Sequence, residues 1–315
     1  MSEFDKKGSE AARAAWLYYH ENLTQSEIAN EMDLSRSTVT RLLQRAKNEG
    51  LVQISLNVSS ATFKTERDLE HAYGLRKVRI VPDSGDDSTQ KRWLGRVAAE
   101  LLVEMVTDNS IVAVSWGTTL QAMADSLVGQ QPVARAQMVA LVGGLHNATR
   151  GTNTYEVAKQ LGQYFNAPTR ALHAPVYVQD QATALGLASV PGIGDVLELA
   201  RKASIVVFSM GSVDHETTMF KLGYITDEQE EFLRRHGAVG DIACRFIDRN
   251  GKPVELPPSI NPTGITLEEL KKIPQRLAVA GGDHKQEVVR AGLRGGFVTM
   301  LVTDERTAAY LLEHR

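Results

Sequence analysis

The hydrophobic positions have two different periodicities along the chain, and the periodicity changes near residue 75. Before that point, apolar residues recur every three or four positions, which is typical of amphipathic helices. After it, short apolar runs that end in glycine or serine alternate with helical stretches. This alternation predicts an α/β domain with a mostly parallel sheet that is covered by helices on both faces. At 315 residues, the chain is expected to form about two domains.

Leu23–Gly50 has the spacing of a helix-turn-helix. Thr24 followed by Glu27 is a capping box, in which the hydroxyl accepts from a free backbone N–H and the carboxylate reaches back. Ser35 is the expected N-cap of the second helix. A preceding helix over Glu10–Glu21 is expected to pack beneath this unit.

The helix after Ser35 has two faces of different character. Val39, Leu42 or Leu43, and Ala46 recur at helical spacing, so they are expected to face a small core. The opposite face carries donors and small polar groups near a helix N-terminus, as major-groove reading of base edges requires. The predicted DNA-binding residues are Arg36, Ser37, Thr38, Thr40, Arg41, Gln44 and Arg45.

A plain amphipathic hairpin with a solvated outer face is the alternative to a DNA-binding unit. Between Ser35 and Glu49 there are four basic side chains and one acidic one, whereas residues 1–60 hold seven basic and eight acidic ones. Binding would therefore depend on charge focused on this helix, on dimerisation and on phosphate contacts. The capping box, turn and second cap at helix-turn-helix spacing favour DNA binding.

The sequence between the helix-turn-helix and the α/β region predicts a wing and a linker. LVQISLNV (51–58) alternates apolar and polar residues and predicts a strand, which would form the wing of a winged helix. Phe63–Tyr73 predicts a charged connecting helix. We therefore assign 1–58 to a winged helix-turn-helix domain, 59–76 to a linker helix and 77–315 to a second domain.

Within the second domain, ligands of an open α/β sheet are expected beyond the carboxyl ends of the strands. Strands are predicted at Lys77–Pro82, Ile111–Ser115, Met138–Val142, Ile205–Ser209, Asp241–Ile247, Leu277–Ala280 and Phe297–Thr303, with an extended stretch at Arg170–Val178. Helices are predicted at Gln90–Val106, Thr118–Leu127, Thr154–Phe165, Asp180–Ala203 with a break at Pro191-Gly192, Asp227–His236 and Lys285–Leu293.

Three glycine-containing turns follow predicted strands and are expected to converge on one sheet edge. Glycine lets the backbone approach a ligand closely, and threonine hydroxyls with the N–H groups of a helix N-terminus suit an anion. Lys285 in the first turn of a helix opposes the helix dipole, which hints at pairing with a bound phosphate. Ordinary loop chemistry is the alternative for each turn, but their convergence favours a ligand site. These turns contain Gly117, Thr118, Thr119, Gly143, Gly144, Gly281, Gly282 and Lys285.

Asp241 is a further candidate for ligand binding. It begins a predicted strand beside a glycine, and its carboxylate could accept hydrogen bonds from sugar hydroxyls. It could equally cap a turn, and the sequence leaves both interpretations open.

Several classes of site have no support in the sequence. There is no P-loop, no G-x-G-x-x-G after a strand and no G-x-S-x-G elbow, so nucleotide binding and hydrolase chemistry are not expected. The scattered histidines and the single cysteine, Cys244, indicate no metal site, and we expect no cofactor. One cysteine, a polar and acidic start and the absence of a long apolar run predict a cytoplasmic protein with no membrane partner.

Seven segments together show a resemblance that covers nearly the whole chain: AARAAWLYY (11–19), LTQSEIA (23–29), LSRSTVTRLLQRAKNEGLV (34–52), SWGTTL (115–120), LVGG (141–144), GDIACRF (240–246) and AGGDHK (280–285). In these the chain resembles the SorC family of bacterial sugar-responsive transcriptional regulators. The resemblance implies a winged helix-turn-helix followed by a Rossmann-like effector domain similar to sugar-phosphate isomerases of the ribose-5-phosphate isomerase and glucosamine-6-phosphate deaminase type. It also implies tetramers built as dimers of dimers.

The resemblance further implies phosphorylated sugars or polyols as effectors. By the family pattern, Gly117, Thr118 and Thr119 match a phosphate-facing loop. Lys285 matches a basic residue near the ligand, and Asp241 matches a polar ligand contact.

We therefore expect a regulator of a carbohydrate or polyol catabolic operon, not an enzyme. Its expected partners are operator DNA with two-fold related half-sites, a phosphorylated sugar or polyol, and further copies of the chain in a dimer or tetramer. One alternative is an isomerase or deaminase fused to a DNA-binding head, for which Asp241 has no obvious acid–base partner. The other is an architectural DNA binder without a ligand, against which the glycine turns argue.

Overall fold

The computed structural model describes residues 3–21, 23–48, 51–52, 60–144, 154–214 and 217–315. The chain divides into two units, Met1–Ser59 and Ser60–Arg315. Leu51 and Val52 are not part of a strand, and residues 53–58 of the predicted wing lie outside the described residues.

Three helices form the first unit: α1 (Glu3–Tyr19), α2 (Gln25–Glu31) and α3 (Arg36–Asn48). The first helix begins earlier than predicted and ends at Tyr19. The capping box is confirmed, since the Thr24 hydroxyl accepts from the Glu27 N–H and the Glu27 carboxylate accepts from the Thr24 N–H. The predicted inward positions are confirmed as a small core, which includes Ile28, Ala29, Val39, Leu42, Leu43 and Ala46.

Short strands and helices alternate through the second unit, as predicted. The helices are α4 (Ser60–Tyr73), α5 (Asp87–Met105), α6 (Thr118–Asp125), α7 (Thr154–Phe165), α8 (Gln181–Ala188), α9 (Ile193–Arg201), α10 (Thr218–Lys221), α11 (Asp227–Arg235), α12 (Leu267–Lys272), α13 (Gln286–Arg294) and α14 (Glu305–Glu313). The strands are β1 (Lys77–Val81), β2 (Ile111–Val114), β3 (Gln137–Ala140), β4 (Thr169–Arg170), β5 (Tyr177–Val178), β6 (Ile205–Phe208), β7 (Met210–Ser212), β8 (Ala238–Ile242), β9 (Arg245–Asp248), β10 (Asn261–Pro262), β11 (Gln275–Val279) and β12 (Met300–Asp304).

Among the described residues, the main sheet has seven strands in the order β1-β12-β11-β6-β2-β3-β4, and every pair in it is parallel. Alternate residues of its strands enter two separate cores. In β6, Ile205 and Val207 pack with α5, α6 and α7, whereas Val206 and Phe208 pack with α4, α9, α13 and α14. Burial on both faces explains why these strands are continuous apolar runs in the sequence.

The single strand predicted at Asp241–Ile247 is wrong. The structure has an antiparallel hairpin of β8 and β9, which pairs with β7 in a separate small sheet. Ala243 and Cys244 reverse the chain with φ of 50° and 66°, although neither is a residue that favours the left-handed region. Asp241 therefore lies near the end of a strand and not at its beginning.

The extended stretch predicted at Arg170–Val178 is divided between two sheets. Its first part, β4, pairs with β3 at the edge of the main sheet, and β5 pairs with β10 in a two-stranded sheet. The predicted strand Met138–Val142 is observed as β3, and it ends two residues earlier, at Ala140.

Helices α8 and α9 are separated at Pro191-Gly192, where the sequence predicts a break. Gly192 there has a φ of 86°, which glycine adopts without a steric penalty. Within the described ranges, no single helix combines the length and the hydropathy that a membrane span needs. Helices α8 and α9 together meet both requirements, but an 86° bend separates them.

Helix α4 covers the outer edge of the sheet along β1. The Glu66 carboxylate accepts from the Ile80 N–H and the Glu70 carboxylate from the Val78 N–H, each at 2.9 Å. The Tyr73 hydroxyl donates to the Leu311 carbonyl of α14 at 2.8 Å. The charged helix that the sequence predicts as a linker thus packs against β1 and α14 within the second unit.

Two helical glycines allow one substitution to be tested in opposite environments. A Cβ at Gly95 of α5 would lie 2.6 Å from backbone atoms of α6, so Gly95→Ala should lower the free energy of unfolding by about 1–3 kcal/mol. A Cβ at Gly186 of α8 would meet nothing within 4 Å, so Gly186→Ala should raise it by up to about 1 kcal/mol. Urea denaturation of the wild type and both variants measures the two changes in the free energy of unfolding. The same sign of change for both would contradict the close approach of α5 and α6.

Candidate functional site

The outer face of α3 carries most of the predicted DNA-binding side chains. Arg36, Ser37, Thr40, Arg41 and Gln44 are exposed, and their backbone belongs to a helix whose other face is fully buried. Arg45 is half-buried. A helix held by its apolar face with polar donors outward has the geometry that a major groove admits.

Thr38 and Thr40 have hydroxyls that are engaged within the unit. The Ser35 hydroxyl accepts from the Thr38 N–H and lies 2.8 Å from the Thr38 hydroxyl, so both belong to the cap of α3. The Thr40 hydroxyl is 2.9 Å from the Gln25 amide oxygen and 3.0 Å from the Arg36 carbonyl. These contacts join α2 to α3 and fix the orientation of the exposed face.

A pocket in the second unit lies beyond the carboxyl ends of β2 and β6. It has about 640 Å³ of empty space, part of which is open to solvent. The turn after β2, the segment after β6, the β8–β9 hairpin and the segment before α13 enclose it. It is lined by Lys91, Ser115, Trp116, Gly117, Thr118, Thr119, Ser209, Met210, Gly211, Thr217, Thr218, Met219, Asp241, Ala243, His284 and Lys285.

The turn after β2 places the N-terminus of α6 at the pocket. Gly117 is the N-cap with a φ of 132°, a conformation that side chains disfavour, and it makes no side-chain cap. The first N–H groups of a helix have no partner within the helix, and the helix dipole makes them attractive to an anion. This turn is placed as the sequence predicts for Gly117, Thr118 and Thr119.

Lys285 and Asp241 line the same pocket from opposite segments of the chain. Lys285 ends a 3₁₀ turn (Asp283–Lys285) and is the N-cap residue of α13, and burial lowers its pKa to about 8. Burial raises the pKa of Asp241 to about 7, against the opposing effects of the Cys244 N–H and of Lys285. Both groups therefore pay a desolvation cost for their charge, which a bound anion or hydroxyl could offset.

The other glycine turns do not line this pocket. A Cβ at Gly143 would lie 2.2 Å from the Ala174 carbonyl oxygen, and the Gly144 N–H donates to the same carbonyl. Gly281 and Gly282 line a neighbouring cavity, where the Gly282 N–H donates to Asp304 at 2.6 Å. Close backbone packing explains the glycine at position 143, contact with the Asp304 carboxylate explains the one at 281, and a φ of 97° explains the one at 282. The predicted role of the four in ligand binding stays a prediction.

Several pocket residues were not identified from the sequence. Lys91 lies in the first turns of α5, where a cation opposes the helix dipole. The helix-dipole argument that identified Lys285 as a candidate could therefore have identified Lys91 as well. Ser209, Thr217 and His284 reach the pocket only through the tertiary fold. In the part of the chain that the structure describes, no cluster of His, Cys, Asp and Glu side chains could hold a metal ion.

The proton on Asp241 should appear in the pH dependence of stability. Its pKa is higher in the folded than in the unfolded protein, so it stabilises the fold fully below its ordinary value of 3.8, and this contribution is lost as the pH rises through about 7. Between about pH 4 and pH 7 the wild type should therefore lose more stability than Asp241→Asn, in which the group cannot ionise. Urea denaturation across this range measures both proteins. Parallel curves would show that Asp241 ionises normally.

Comparisons with known proteins agree with both units. Residues 59–313 match the Sugar-bind family of sugar-binding domains, and residues 10–57 match the MarR family. The deoxyribonucleoside regulator of Bacillus subtilis is 32% identical over 301 residues, which are 95% of this chain and 96% of that protein. The transcriptional regulator LsrR of Escherichia coli O157:H7 is 32% identical over 311 residues, with 96% and 94% covered.

Solved structures show the same architecture. A DeoR family transcriptional regulator from Listeria monocytogenes has a TM-score of 0.72 at 27% identity, covering 80% of this chain and 100% of that chain. The full-length sorbitol operon regulator SorC from Klebsiella pneumoniae has a TM-score of 0.73 at 22% identity and covers 98% and 99%, a likeness that shows the fold. With a helix-turn-helix unit, a parallel-sheet sugar-binding domain and relatives that are transcriptional regulators over almost their whole length, this chain belongs to the SorC family of sugar-binding transcriptional regulators.

Proposed function

We propose that the protein regulates a carbohydrate or polyol catabolic operon in response to a small phosphorylated sugar or polyol that binds in the second unit. The observation that carries this proposal is the meeting of an open helix N-terminus at Gly117–Thr119 with Lys285 in one pocket. Two elements far apart in the sequence there present N–H groups and an ammonium group to the same space, which suits a phosphate.

The remaining polar groups of the pocket suit the carbon chain of such an effector. Among the residues that line the pocket, Asp241 offers a carboxyl group, and Ser115 and Thr218 offer hydroxyls. Hydroxyl groups of a sugar both donate and accept hydrogen bonds, so a mixture of carboxyl and hydroxyl side chains can satisfy them.

The regulatory step requires a difference in affinity. A ligand shifts an equilibrium only when it binds one arrangement better than another. We propose that the effector favours one arrangement of the α3 helices in a dimer or tetramer on operator DNA with two-fold related half-sites, and that the protein acts in the cytoplasm without a cofactor.

A carboxyl group with a pKa of about 7 is also what a general base would have, so catalysis has to be tested directly. We propose that Asp241 binds the effector and does not react with it. Prolonged incubation of the protein with ribose 5-phosphate, followed by NMR of the mixture, should return the compound unchanged. Formation of a ketose isomer would establish an enzyme instead.

Removal of Lys285 should weaken phosphate recognition. In a thermal-shift and calorimetric panel of glycerol 3-phosphate, ribose 5-phosphate, glucitol 6-phosphate and their free polyols or sugars, Lys285→Ala should bind phosphorylated compounds about 10- to 100-fold more weakly, since a charge-assisted hydrogen bond is lost. The free compounds should change much less. Lys252→Ala, which removes an exposed lysine outside the pocket, is the matched control. Equal losses for free and phosphorylated forms would make Lys285 a structural residue.

Removal of Arg41 should weaken operator binding while the fold is kept. Arg41 is exposed on α3, and loss of one base or phosphate contact is expected to cost about 10- to 100-fold in affinity. Electrophoretic or fluorescence titration at fixed salt, with a duplex selected by the wild type from random sequences, measures the change. Arg96→Ala, the same change of charge at an exposed position of α5, should bind like the wild type. An unchanged affinity of Arg41→Ala would remove this residue from the DNA interface.

A further inference from the structure

The turn between β8 and β9 forms part of the pocket wall and adopts an unfavourable backbone conformation. Both of its residues, Ala243 and Cys244, have left-handed φ angles of 50° and 66°. Two-residue hairpin turns of this kind favour Asn and Gly because those residues tolerate positive φ. The surrounding structure must therefore hold this turn in place, since its own sequence does not favour it.

Three groups hold Cys244, one from the hairpin itself and two from distant segments of the chain. The Asp241 carboxylate accepts from the Cys244 N–H at 2.9 Å, and the Tyr177 hydroxyl donates to the Cys244 carbonyl at 2.9 Å. The Trp116 indole N–H lies 3.2 Å from the Cys244 sulfur. Cys244 is only 1% exposed. The three contacts from Asp241, Tyr177 and Trp116, called the Cys244 clamp below, are therefore almost closed to solvent.

The same contacts determine where the Asp241 carboxylate points. One of its oxygens binds the Cys244 N–H, and the neighbouring Gly211 N–H donates to the same carboxylate. Asp241, Ala243 and Trp116 line the pocket, whereas Tyr177 and Cys244 lie behind its wall. A change of the turn would therefore move a pocket carboxylate together with Ala243. The Tyr177 hydroxyl also lies 3.2 Å from the sulfur of Met219, another pocket residue.

We propose that Tyr177 and Trp116 are positioning residues for the effector: they hold the Ala243-Cys244 turn in its left-handed conformation and thereby orient Asp241 toward the hydroxyl groups of the ligand. This inference rests on the proposed function of the pocket. It separates two contributions to binding, because the turn governs the polyol part of the ligand and the α6 N-terminus with Lys285 governs the phosphate.

Cys244 is the only cysteine of the chain, so the reactivity of its thiol reports opening of the turn without any ligand. Tyr177→Phe removes one hydroxyl and should increase the rate of modification by the thiol reagent DTNB in the full-length protein by about tenfold or more, as the Cys244 clamp loses one of its hydrogen bonds. Tyr73→Phe is the matched control, because its hydroxyl also donates to a backbone carbonyl of the same unit, that of Leu311. It should leave the rate unchanged.

A second substitution separates a positioning role from a general loss of stability. Glycine adopts positive φ freely, so Ala243→Gly in the Tyr177→Phe background should slow thiol modification again and restore ligand affinity. Ala243→Gly in the wild-type background measures the general stabilisation that glycine gives at positive φ, so only rescue of Tyr177→Phe beyond that amount supports the positioning role.

Calorimetry with inorganic phosphate and with the three phosphate esters of the panel completes the test. Tyr177→Phe should weaken the esters about tenfold and leave inorganic phosphate unchanged, whereas Lys285→Ala should weaken both. If the wild type binds none of the four probes, the proposed function fails, and thiol modification alone decides whether Tyr177 holds the turn. If the wild type binds an ester and Tyr177→Phe binds it equally well, or is not rescued by Ala243→Gly, the positioning role is wrong while the proposed function stands.

Discussion

All seven strands of the main sheet run in the same direction, so every turn that follows one of them lies at the same edge. This constraint brings Thr118 and Lys285 to one pocket although 166 positions separate them in the sequence. It also buries both faces of each strand, which leaves the edge as the place where polar side chains and helix N-termini meet solvent. The small β7-β8-β9 sheet then closes the pocket from above the ends of β2 and β6 and adds a carboxyl group to it.

Burial also sets the chemistry of the pocket. The same loss of solvent raises the pKa of Asp241 and lowers that of Lys285. Near neutral pH, Asp241 is therefore about half protonated, and Lys285 is mostly charged but releases its proton more readily than an ordinary lysine. A ligand that supplies negative charge would favour the protonated lysine and would not require Asp241 to ionise. The pocket is in this sense suited to an anion that carries hydroxyl groups.

Local signals in the sequence predict many of the elements. Continuous apolar runs identify the buried strands, and the capping box at Thr24 with the cap at Ser35 identifies where α2 and α3 begin. Helix α12 is not predicted, although Thr266 and Glu269 form a capping box at its start. The hairpin at Ala243-Cys244 was missed because its turn contains neither Asn nor Gly and is held by distant groups such as Tyr177. Gly143 gave the same local signal as Gly117, but it is needed for close packing against the Ala174 carbonyl. Pocket residues such as Ser209 have no signal in the sequence, because the fold alone places them there.

The packing of α4 along β1 has a consequence for how copies of this chain can associate. An exposed edge strand offers unpaired N–H and C=O groups to a strand of another molecule and so promotes aggregation. The carboxylate of Glu70 accepts from the outward N–H of Val78, and that of Glu66 accepts from the N–H of Ile80. The opposite edge strand, β4, is only two residues long. Neither edge of the described sheet can readily be extended. If copies of this chain associate, we therefore expect them to contact one another through side chains on their helices and loops and not by extension of this sheet.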